Sequence, residues 1–277
     1  MGLLRVLIAP AGPRHVPPAW PVRALNFAAA FLLVVLIFYF AFSQLETRWG
    51  WNSVYRYRQK FVQGWLNTVW ISLAALGLST SIGLFFALAQ RSRFLPLYYF
   101  SKIYVEVVRG TPLLVQLWLL YFGLGSLFPM IPGIRQSFLW PVLREGYFYA
   151  LLAFTISVAG YEGEVMRGAF LGVPKGELEA AKAFGMSPLQ VLRRIWFPRA
   201  VRLALPVLAG DTAIQLKATP LAATVTVLDL FGVSNKIRQD TYRVYEPLLL
   251  VLVAYVVLYF FIVWAFRWYE NRIPQKR

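Results

Sequence analysis

The chain has 277 residues, of which 59% are hydrophobic, 17% aromatic and 14% charged. Soluble domains average about 45–50% apolar and about 25% charged residues, so this composition excludes the soluble globular, disordered and collagen-like classes. The net charge is +16. With so many apolar residues, a membrane explains this charge better than nucleic acid does, because basic groups lie beside lipid headgroups. We therefore expect membrane lipid, and no nucleic acid, among its partners.

Cysteine and histidine are almost missing. There is no Cys, and the one His is His15, in a proline-rich head. This excludes disulfides, thiolate metal sites and a cysteine nucleophile, and it leaves little material for a histidine metal site or a Ser-His-Asp triad. We therefore predict no catalytic residue, no metal and no cofactor.

Apolar runs predict about six membrane spans, since a helix needs about 20 apolar residues to cross a bilayer. They cover residues 25–42, 66–89, 103–124, 147–168, 203–228 and 248–266. A cleaved signal peptide is the alternative for the first run, but this run exceeds the usual apolar region of about 7–15 residues. The fold prediction is an all-α integral membrane protein.

The loops between these runs carry an uneven charge. Lys and Arg are more frequent in the head, the tail and the loops on their side than in the loops opposite, which predicts cytoplasmic termini. The predicted organisation is a Pro-rich cytoplasmic tail at 1–24, an extra transmembrane helix and periplasmic loop at 25–60, the main membrane domain at 61–270, and a cytoplasmic tail at 271–277.

Residues 172–206 are too polar to span a membrane, and they predict a helix–turn–helix on the cytoplasmic face. A first helix at 177–184 ends at Gly185, and a second begins at Ser187-Pro188 and ends at Pro198. Small alanines on the first helix allow it to fit closely into a groove of another protein. The alternative is an amphipathic loop packed on the membrane surface.

The same segment resembles the EAA loop of the permease subunits of binding-protein-dependent ABC importers. That motif is Glu-Ala-Ala, three residues, Gly, nine residues, Ile, any residue and Leu-Pro, and Phe takes the place of Leu in this chain. The matching residues are Glu179, Ala180, Ala181, Gly185, Ile195, Phe197 and Pro198.

Three further segments, at 105–124, 159–181 and 216–231, resemble the polar amino-acid permeases, including those for histidine, lysine, arginine, ornithine and opines. The resemblance implies a five-helix core, with the EAA loop at 172–202, that pairs with a second permease as a homo- or heterodimer. It also implies a cytoplasmic ATPase dimer, a periplasmic solute-binding protein and a basic amino acid or opine as substrate. Glutamine or glutamate remains the alternative substrate class.

The resemblance also assigns roles to residues, on the positions that match the family's motifs. It implies that Glu179, Ala180, Ala181 and Gly185 couple the chain to the ATPase, and the chain has no Walker-type GxxxxGK[ST] of its own. Two departures from the family pattern concern acids: Glu162 stands where an uncharged residue is usual, and Asp211 follows Gly where Asn-Glu is common.

Ionisable residues inside membrane helices are costly and suggest function. Glu164 shares a helix face with Tyr161 and Arg167, while Glu162 lies about 200° around the helix. Glu164 either attracts a cationic substrate from the translocation path or neutralises Arg167. Asp211 is a weaker candidate for the path.

Two prolines interrupt predicted spans. Pro112, which follows Arg109 closely, either forms a gate or gives structural packing at the start of the third span. Thr219 precedes Pro220 at a break in the fifth span, and discontinuous helices often mark substrate sites. Thr219 therefore joins Glu164, Tyr161 and Asp211 as a predicted part of the substrate path.

Two other functions fit the sequence less well. A membrane-embedded enzyme needs converging acids, bases or ligands, and Glu162 and Glu164 diverge. An ion-driven secondary transporter commonly shows inverted repeats, and none is visible in the sequence. It would also leave the EAA-like segment unexplained.

Overall fold

The structure is a computed structural model that describes residues 20–43 and 49–272. The regular elements in these two ranges are all helical, which confirms the all-α prediction. His15, with most of the predicted head and most of the predicted tail, lies outside the described residues.

The helices of these two ranges differ widely in length. The α-helices are α1 (Trp20–Ser43), α2 (Trp51–Tyr55), α3 (Arg58–Ala89), α4 (Leu95–Gly110), α5 (Leu113–Trp118), α6 (Gly125–Leu127), α7 (Trp140–Leu143), α8 (Gly146–Gly172), α9 (Lys175–Ala183), α10 (Pro188–Val191), α11 (Phe197–Ala218), α12 (Leu230–Thr241) and α13 (Tyr245–Arg272). Segments Leu119–Leu124 and Leu192–Trp196 are π-helical, and Phe128–Met130, Ile134–Gln136 and Thr219–Val225 are 3₁₀-helical.

The chain divides into two compact units, Met1–Trp49 and Gly50–Arg277. In the first unit, α1 is a 24-residue helix that covers the predicted first span. α1 begins at Trp20, a few residues before the apolar stretch Ala24–Ala41 that could cross a membrane. Pro21 is compatible with this start, since a proline in the first helical turn loses no intrahelical hydrogen bond.

Four described stretches are long and apolar enough to cross a membrane, and one bent helix pair would make a fifth. They are Ala24–Ala41, Arg58–Ala89, Leu113–Met130 and Tyr245–Trp268, with the pair Pro188–Val225 and Leu230–Thr241 bent by 46°. Each predicted span except the fourth corresponds to one of them.

The fourth predicted span corresponds to α8, which has 27 residues but is less apolar than these stretches. It is the central helix of the second unit and packs against α3, α4 and α11. Gly83 of α3 meets Gly163 of α8 so closely that a Cβ on Gly83 would lie 3.0 Å from the Gly163 nitrogen. Small residues allow two membrane helices to approach this closely. This explains why the buried positions of α8 include several glycines and alanines.

The third predicted span, 103–124, is interrupted at Pro112, as the sequence predicted. α4 ends at Gly110, and Thr111 adopts an extended conformation with φ −116° and ψ 139° before Pro112. The physical reason is local: proline has no N–H, and it disfavours the helical conformation for the preceding residue. The apolar stretch therefore begins after the break, at Leu113.

The fifth predicted span, 203–228, is interrupted where its sequence predicted. α11 ends at Ala218, and the chain continues as a 3₁₀-helix from Thr219 through Pro220 to Val225. Thr226 then adopts the left-handed conformation with φ 66°, and α12 follows from Leu230.

Candidate functional site

The Glu164 carboxylate is paired within its own helix. Arg167 donates from Nε to Glu164 Oε2 at 2.8 Å and from Nη2 to Oε1 at 2.5 Å. Both side chains are about one third exposed, at 33% for Arg167 and 30% for Glu164. The neutralising pair that the spacing suggested is thus present, and it leaves part of the carboxylate on an accessible surface.

Tyr161 and Arg109 meet where the end of α4 contacts α8. The Arg109 guanidinium carbon lies 5.7 Å from the centre of the Tyr161 ring, and the Tyr161 hydroxyl lies 3.4 Å from the Arg109 carbonyl oxygen. Gly160 permits this approach, since a Cβ there would lie 2.9 Å from a methyl carbon of Val108.

Asp211 of α11 belongs to the same charged neighbourhood. Arg109 acts electrostatically on both Asp211 and Glu164. The Oδ2 atom of Asp211 is buried without a hydrogen-bond partner. The tertiary structure thus groups Arg109, Tyr161, Glu164 and Asp211, which lie on three helices. Lys217 does not pair with Asp211, because its ammonium lies over the Tyr259 ring, 4.8 Å from the ring centre.

Thr219 lies in a different, buried network. Its hydroxyl donates to the Leu216 carbonyl oxygen at 2.8 Å and lies 2.7 Å from the hydroxyl of Tyr255. Tyr255 in turn donates to Asp229 Oδ2 at 3.4 Å. Thr219 is fully buried, so these contacts fix the 3₁₀ segment and give no support to its predicted place on the path.

Asp229 and its neighbour Thr68 were not among the predicted residues. Asp229 Oδ1 accepts a hydrogen bond from the Gly232 amide at 2.7 Å, and the Thr68 hydroxyl accepts one from the Leu230 amide at 3.0 Å. An aspartate just before an apolar helix is an N-cap signal, so Asp229 was detectable from sequence. Thr68 was not, because it comes from another helix.

The break before Pro112 is stabilised by the side chain of Gln116, which was not among the predicted residues. The Gln116 amide donates to the Val108 carbonyl at 2.9 Å, the Thr111 carbonyl at 3.1 Å and the Thr111 hydroxyl at 2.8 Å. Carbonyls at the end of a helix lack intrahelical donors, and this amide supplies one. These contacts stabilise the break before Pro112, and the gate and the structural interpretation of Pro112 both stay predictions.

The loop of residues 172–202 contains the predicted turn. Gly185 has φ 75°, its amide donates to the Lys182 carbonyl at 2.9 Å, and the Met186 amide donates to the Ala181 carbonyl at 3.2 Å. These two bonds form a Schellman motif. Ser187 then caps α10, in a reciprocal capping box with Gln190.

The second helix of this loop does not end at Pro198, so that prediction is wrong. The π-helical turn Leu192–Trp196 leads directly into α11, and Pro198 lies in its first turn. In a π-helical turn the backbone hydrogen bonds join residues five apart instead of four. Pro198 follows this change of pattern directly, so its missing N–H does not end the helix.

The exposed surface of the loop differs from the prediction at two residues, Ala181 and Phe184. Glu179 and Ala180 are exposed, and Gly185 is open, with no atom within 4 Å of a Cβ placed there. Ala181 is only 3% exposed, so it packs inside the loop and the prediction that it forms part of a contact face is wrong. Phe184, at 86% exposed, is an apolar residue of this surface that was not predicted from the sequence.

Side-chain contacts join the loop to α8 and α11. Arg199 donates from Nε to Glu177 Oε2 at 2.8 Å and makes a second short contact to Oε1 through Nη2. This hydrogen-bonded guanidinium lowers the pKa of the Glu177 carboxyl below its usual range. The indole of Trp196 packs edge-on to Phe170, with the Arg91 guanidinium 4.4 Å from the Trp196 ring centre.

Comparisons with known proteins agree with this architecture. Residues 79–275 match the family "Binding-protein-dependent transport system inner membrane component". The octopine transport system permease protein OccM of Rhizobium radiobacter is 37% identical over 204 residues, which cover 73% of this chain and 81% of that protein.

Two further matches point the same way. The histidine/lysine/arginine/ornithine permease HisM of Escherichia coli K12 is 31% identical, over 80% of this chain and 90% of that protein. A crystal structure of an amino acid ABC transporter with histidines matches 82% of this chain and 100% of the solved chain, with a TM-score of 0.71 and 28% identity. The chain therefore belongs to the inner membrane components of binding-protein-dependent transport systems: it is a multi-pass permease subunit of an ABC importer for polar amino acids or opines, not an enzyme.

Proposed function

We propose that this permease forms the inner-membrane path for a basic amino acid, such as histidine, lysine, arginine or ornithine, or for an opine. The observation that carries the proposal is the group of opposite charges near the half-exposed Tyr161: the Arg109 guanidinium lies 5.7 Å from the Tyr161 ring centre, and Glu164 and Asp211 are the acids within its electrostatic reach. Relatives that transport octopine or basic amino acids support the same class.

The chemistry of such substrates fits this group. Lysine, arginine and ornithine each carry a carboxylate and two cationic groups at neutral pH, so they need a cation and more than one acceptor from the protein. Arg109 would face the carboxylate, while Glu164 and Asp211 would face the cationic groups. Of the two acids, Asp211 is the better candidate to bind a cationic group of the substrate, because its Oδ2 atom is buried and lacks a hydrogen-bond partner.

The partners are proposed from the family context. A separate ATPase dimer would dock on the loop at Glu179, Ala180 and Gly185, with Phe184 beside them, and a periplasmic binding protein would deliver the substrate. A second permease, identical or related, would complete the path. The orientation that goes with this arrangement places both termini in the cytoplasm.

Uptake in proteoliposomes tests the substrate class. The chain would be reconstituted with its ATPase, sister permease and binding protein, and labelled arginine, lysine, histidine, octopine, nopaline, glutamine and glutamate would be compared. We expect ATP-dependent uptake of the cationic substrates or an opine. Preferred uptake of glutamine or glutamate would refute the proposed class but leave the importer intact.

Two isosteric variants test the site. We expect Asp211→Asn and Glu164→Gln each to lower uptake of cationic substrates at least tenfold while ATP hydrolysis by the complex continues. Glu145→Gln is the matched control, because that carboxylate lies outside the charged group and pairs with the adjacent Arg144 at 3.2 Å. Unchanged uptake in both test variants would show that these acids do not contact the substrate.

A further inference from the structure

A partly open cavity of about 230 Å³ lies between α3, α8, α11 and α13. Most of its wall is aliphatic or aromatic and includes Leu84, Leu205 and Phe266. The polar side chains on the wall are Thr80, Glu162 and Thr212. A cavity needs about 10–15 Å³ to hold one water molecule, so this one has room for a small organic molecule.

Glu162 is the unusual group in this wall. It is only 1% exposed, and neither of its carboxylate oxygens has a hydrogen-bond partner among the described residues. The hydroxyls of Ser79 and Thr80 are its polar neighbours, but the Ser79 hydroxyl donates to the Leu76 carbonyl at 3.1 Å, and the distances and angles at the carboxylate do not make a hydrogen bond with either. An unpartnered carboxyl inside a membrane protein is costly, and it therefore indicates a ligand or a function.

The charge around Glu162 is not balanced by the protein nearby. Among the described residues, the charged side chain that acts on it is Asp211, a second acid, whose own cationic neighbour is Arg109. Glu164, two residues away, points about 200° around the helix and is occupied by Arg167. The cavity is thus separate from the Glu164–Arg167 pair.

We propose that this cavity binds an organic ammonium with an apolar body, and that Glu162 is its counter-ion. An ammonium group has three N–H donors, and the wall offers three acceptors in Glu162, Thr80 and Thr212. The Thr212 hydroxyl donates its own hydrogen to the Leu208 carbonyl at 2.8 Å, which leaves its lone pairs to accept. The apolar wall matches the body of an alkylamine.

A bare metal ion fits this cavity less well. Hard cations such as Ca²⁺ require about 6–8 oxygen ligands, and the three polar side chains supply too few. The described residues contain no group of three or more His, Cys, Asp or Glu that could hold a metal. The proposal does not depend on the transported substrate, because it concerns a different face of α8.

Binding of n-hexylamine to the purified full chain tests the proposal. The chain would be held in phosphatidylcholine nanodiscs near pH 7, where the amine is protonated, and saturable binding of radiolabelled hexylamine would be measured. 1-Hexanol serves as the uncharged probe of similar length. We expect saturable binding of hexylamine, and at least tenfold weaker competition by 1-hexanol.

Two variants assign the binding to this cavity. Glu162→Gln keeps the shape and removes the charge, and we expect it to weaken hexylamine binding at least tenfold. Glu106→Gln, which changes an exposed carboxylate on α4, is the control and should bind as the original chain does. Leu205→Trp fills the apolar end, keeps the carboxylate and should also abolish binding, so it decides the matter if Glu162→Gln does not fold.

Three results would overturn the proposal: no saturable binding of hexylamine, equal competition by 1-hexanol, or unchanged binding in both cavity variants. Failure of the substrate proposal would be recognised separately, because uptake by the assembled importer depends on Glu164 and Asp211 rather than on Glu162.

Discussion

The indole Nε1 of Trp196 donates a hydrogen bond to the carbonyl oxygen of Phe170 at 2.9 Å. Phe170 is in the last turn of α8, where backbone carbonyls have no intrahelical donor. Trp196 lies in the π-helical turn that follows the loop of residues 172–202. This one contact therefore joins the end of the central helix to the segment proposed to meet the ATPase.

Trp196→Phe is expected to weaken this joint. The variant keeps an aromatic ring against Phe170 and beside Arg91 but removes the N–H donor, so we expect a loss of stability of about 1 kcal/mol. Thermal unfolding of the purified chain measures the loss. In the assembled transporter, uptake per ATP hydrolysed should fall.

Trp118→Phe is the control, because the Trp118 indole bonds elsewhere, to the Thr224 hydroxyl at 3.0 Å. It should leave uptake per ATP unchanged, and equal effects of both variants would contradict this role for Trp196.

Gly185→Ala is expected to strain the turn. At φ 75° a side chain costs about 1–2 kcal/mol, even though the surrounding space is open. Gly176→Ala is a matched control in the same loop, with open space but an ordinary helical position in α9. It should be neutral or slightly stabilising, since alanine favours helix. Thermal unfolding of both variants makes the comparison, and a stable Gly185→Ala would show that the left-handed turn is not required.

The Glu177–Arg199 pair is expected to make the loop sensitive to acid. Because Arg199 lowers the pKa of Glu177 in the folded chain, the pair stabilises the fold above the unfolded pKa of about 4.3. That contribution is lost as the pH falls through the lower, folded pKa. Both groups are exposed enough for solvent and salt to screen the pair, so the effect should shrink at high ionic strength.

Protease sensitivity of the loop between pH 6 and pH 3 measures this contribution. Glu177→Gln and Arg199→Gln should each flatten the pH dependence, and the double variant should behave like either single one. Additive effects of the two substitutions would mean that the residues act separately.

The orientation is open to a direct test because the chain contains no cysteine. Phe184→Cys and Phe138→Cys each place one thiol at a position that is 86% or 87% exposed, respectively. With cytoplasmic termini, an impermeant thiol reagent added outside intact cells should label the thiol at 138 and spare the one at 184. The reverse pattern would invert the proposed topology.

Local chemistry made much of the fold predictable. Pro112 broke its helix, Thr219-Pro220 changed α11 into a 3₁₀ segment, and Gly185 and Ser187 ended and began helices as their residue types require. Each of these outcomes depends on one backbone donor or one torsion angle, so neighbours in sequence suffice to decide it. Pro198 is the exception, since the preceding π-helical turn allowed the helix to continue.

The composition and the apolar runs determined that this chain is a membrane protein, and its resemblance to the EAA loop indicated a permease, because those features require no knowledge of contacts. Only the tertiary structure decided which polar groups have partners. It grouped Arg109 with Tyr161 and Asp211, buried Ala181, drew Thr219 into a network with Tyr255, and left Glu162 without a partner. The physical reason is that a buried polar group is satisfied by atoms far away in sequence, and helix packing alone brings those atoms together.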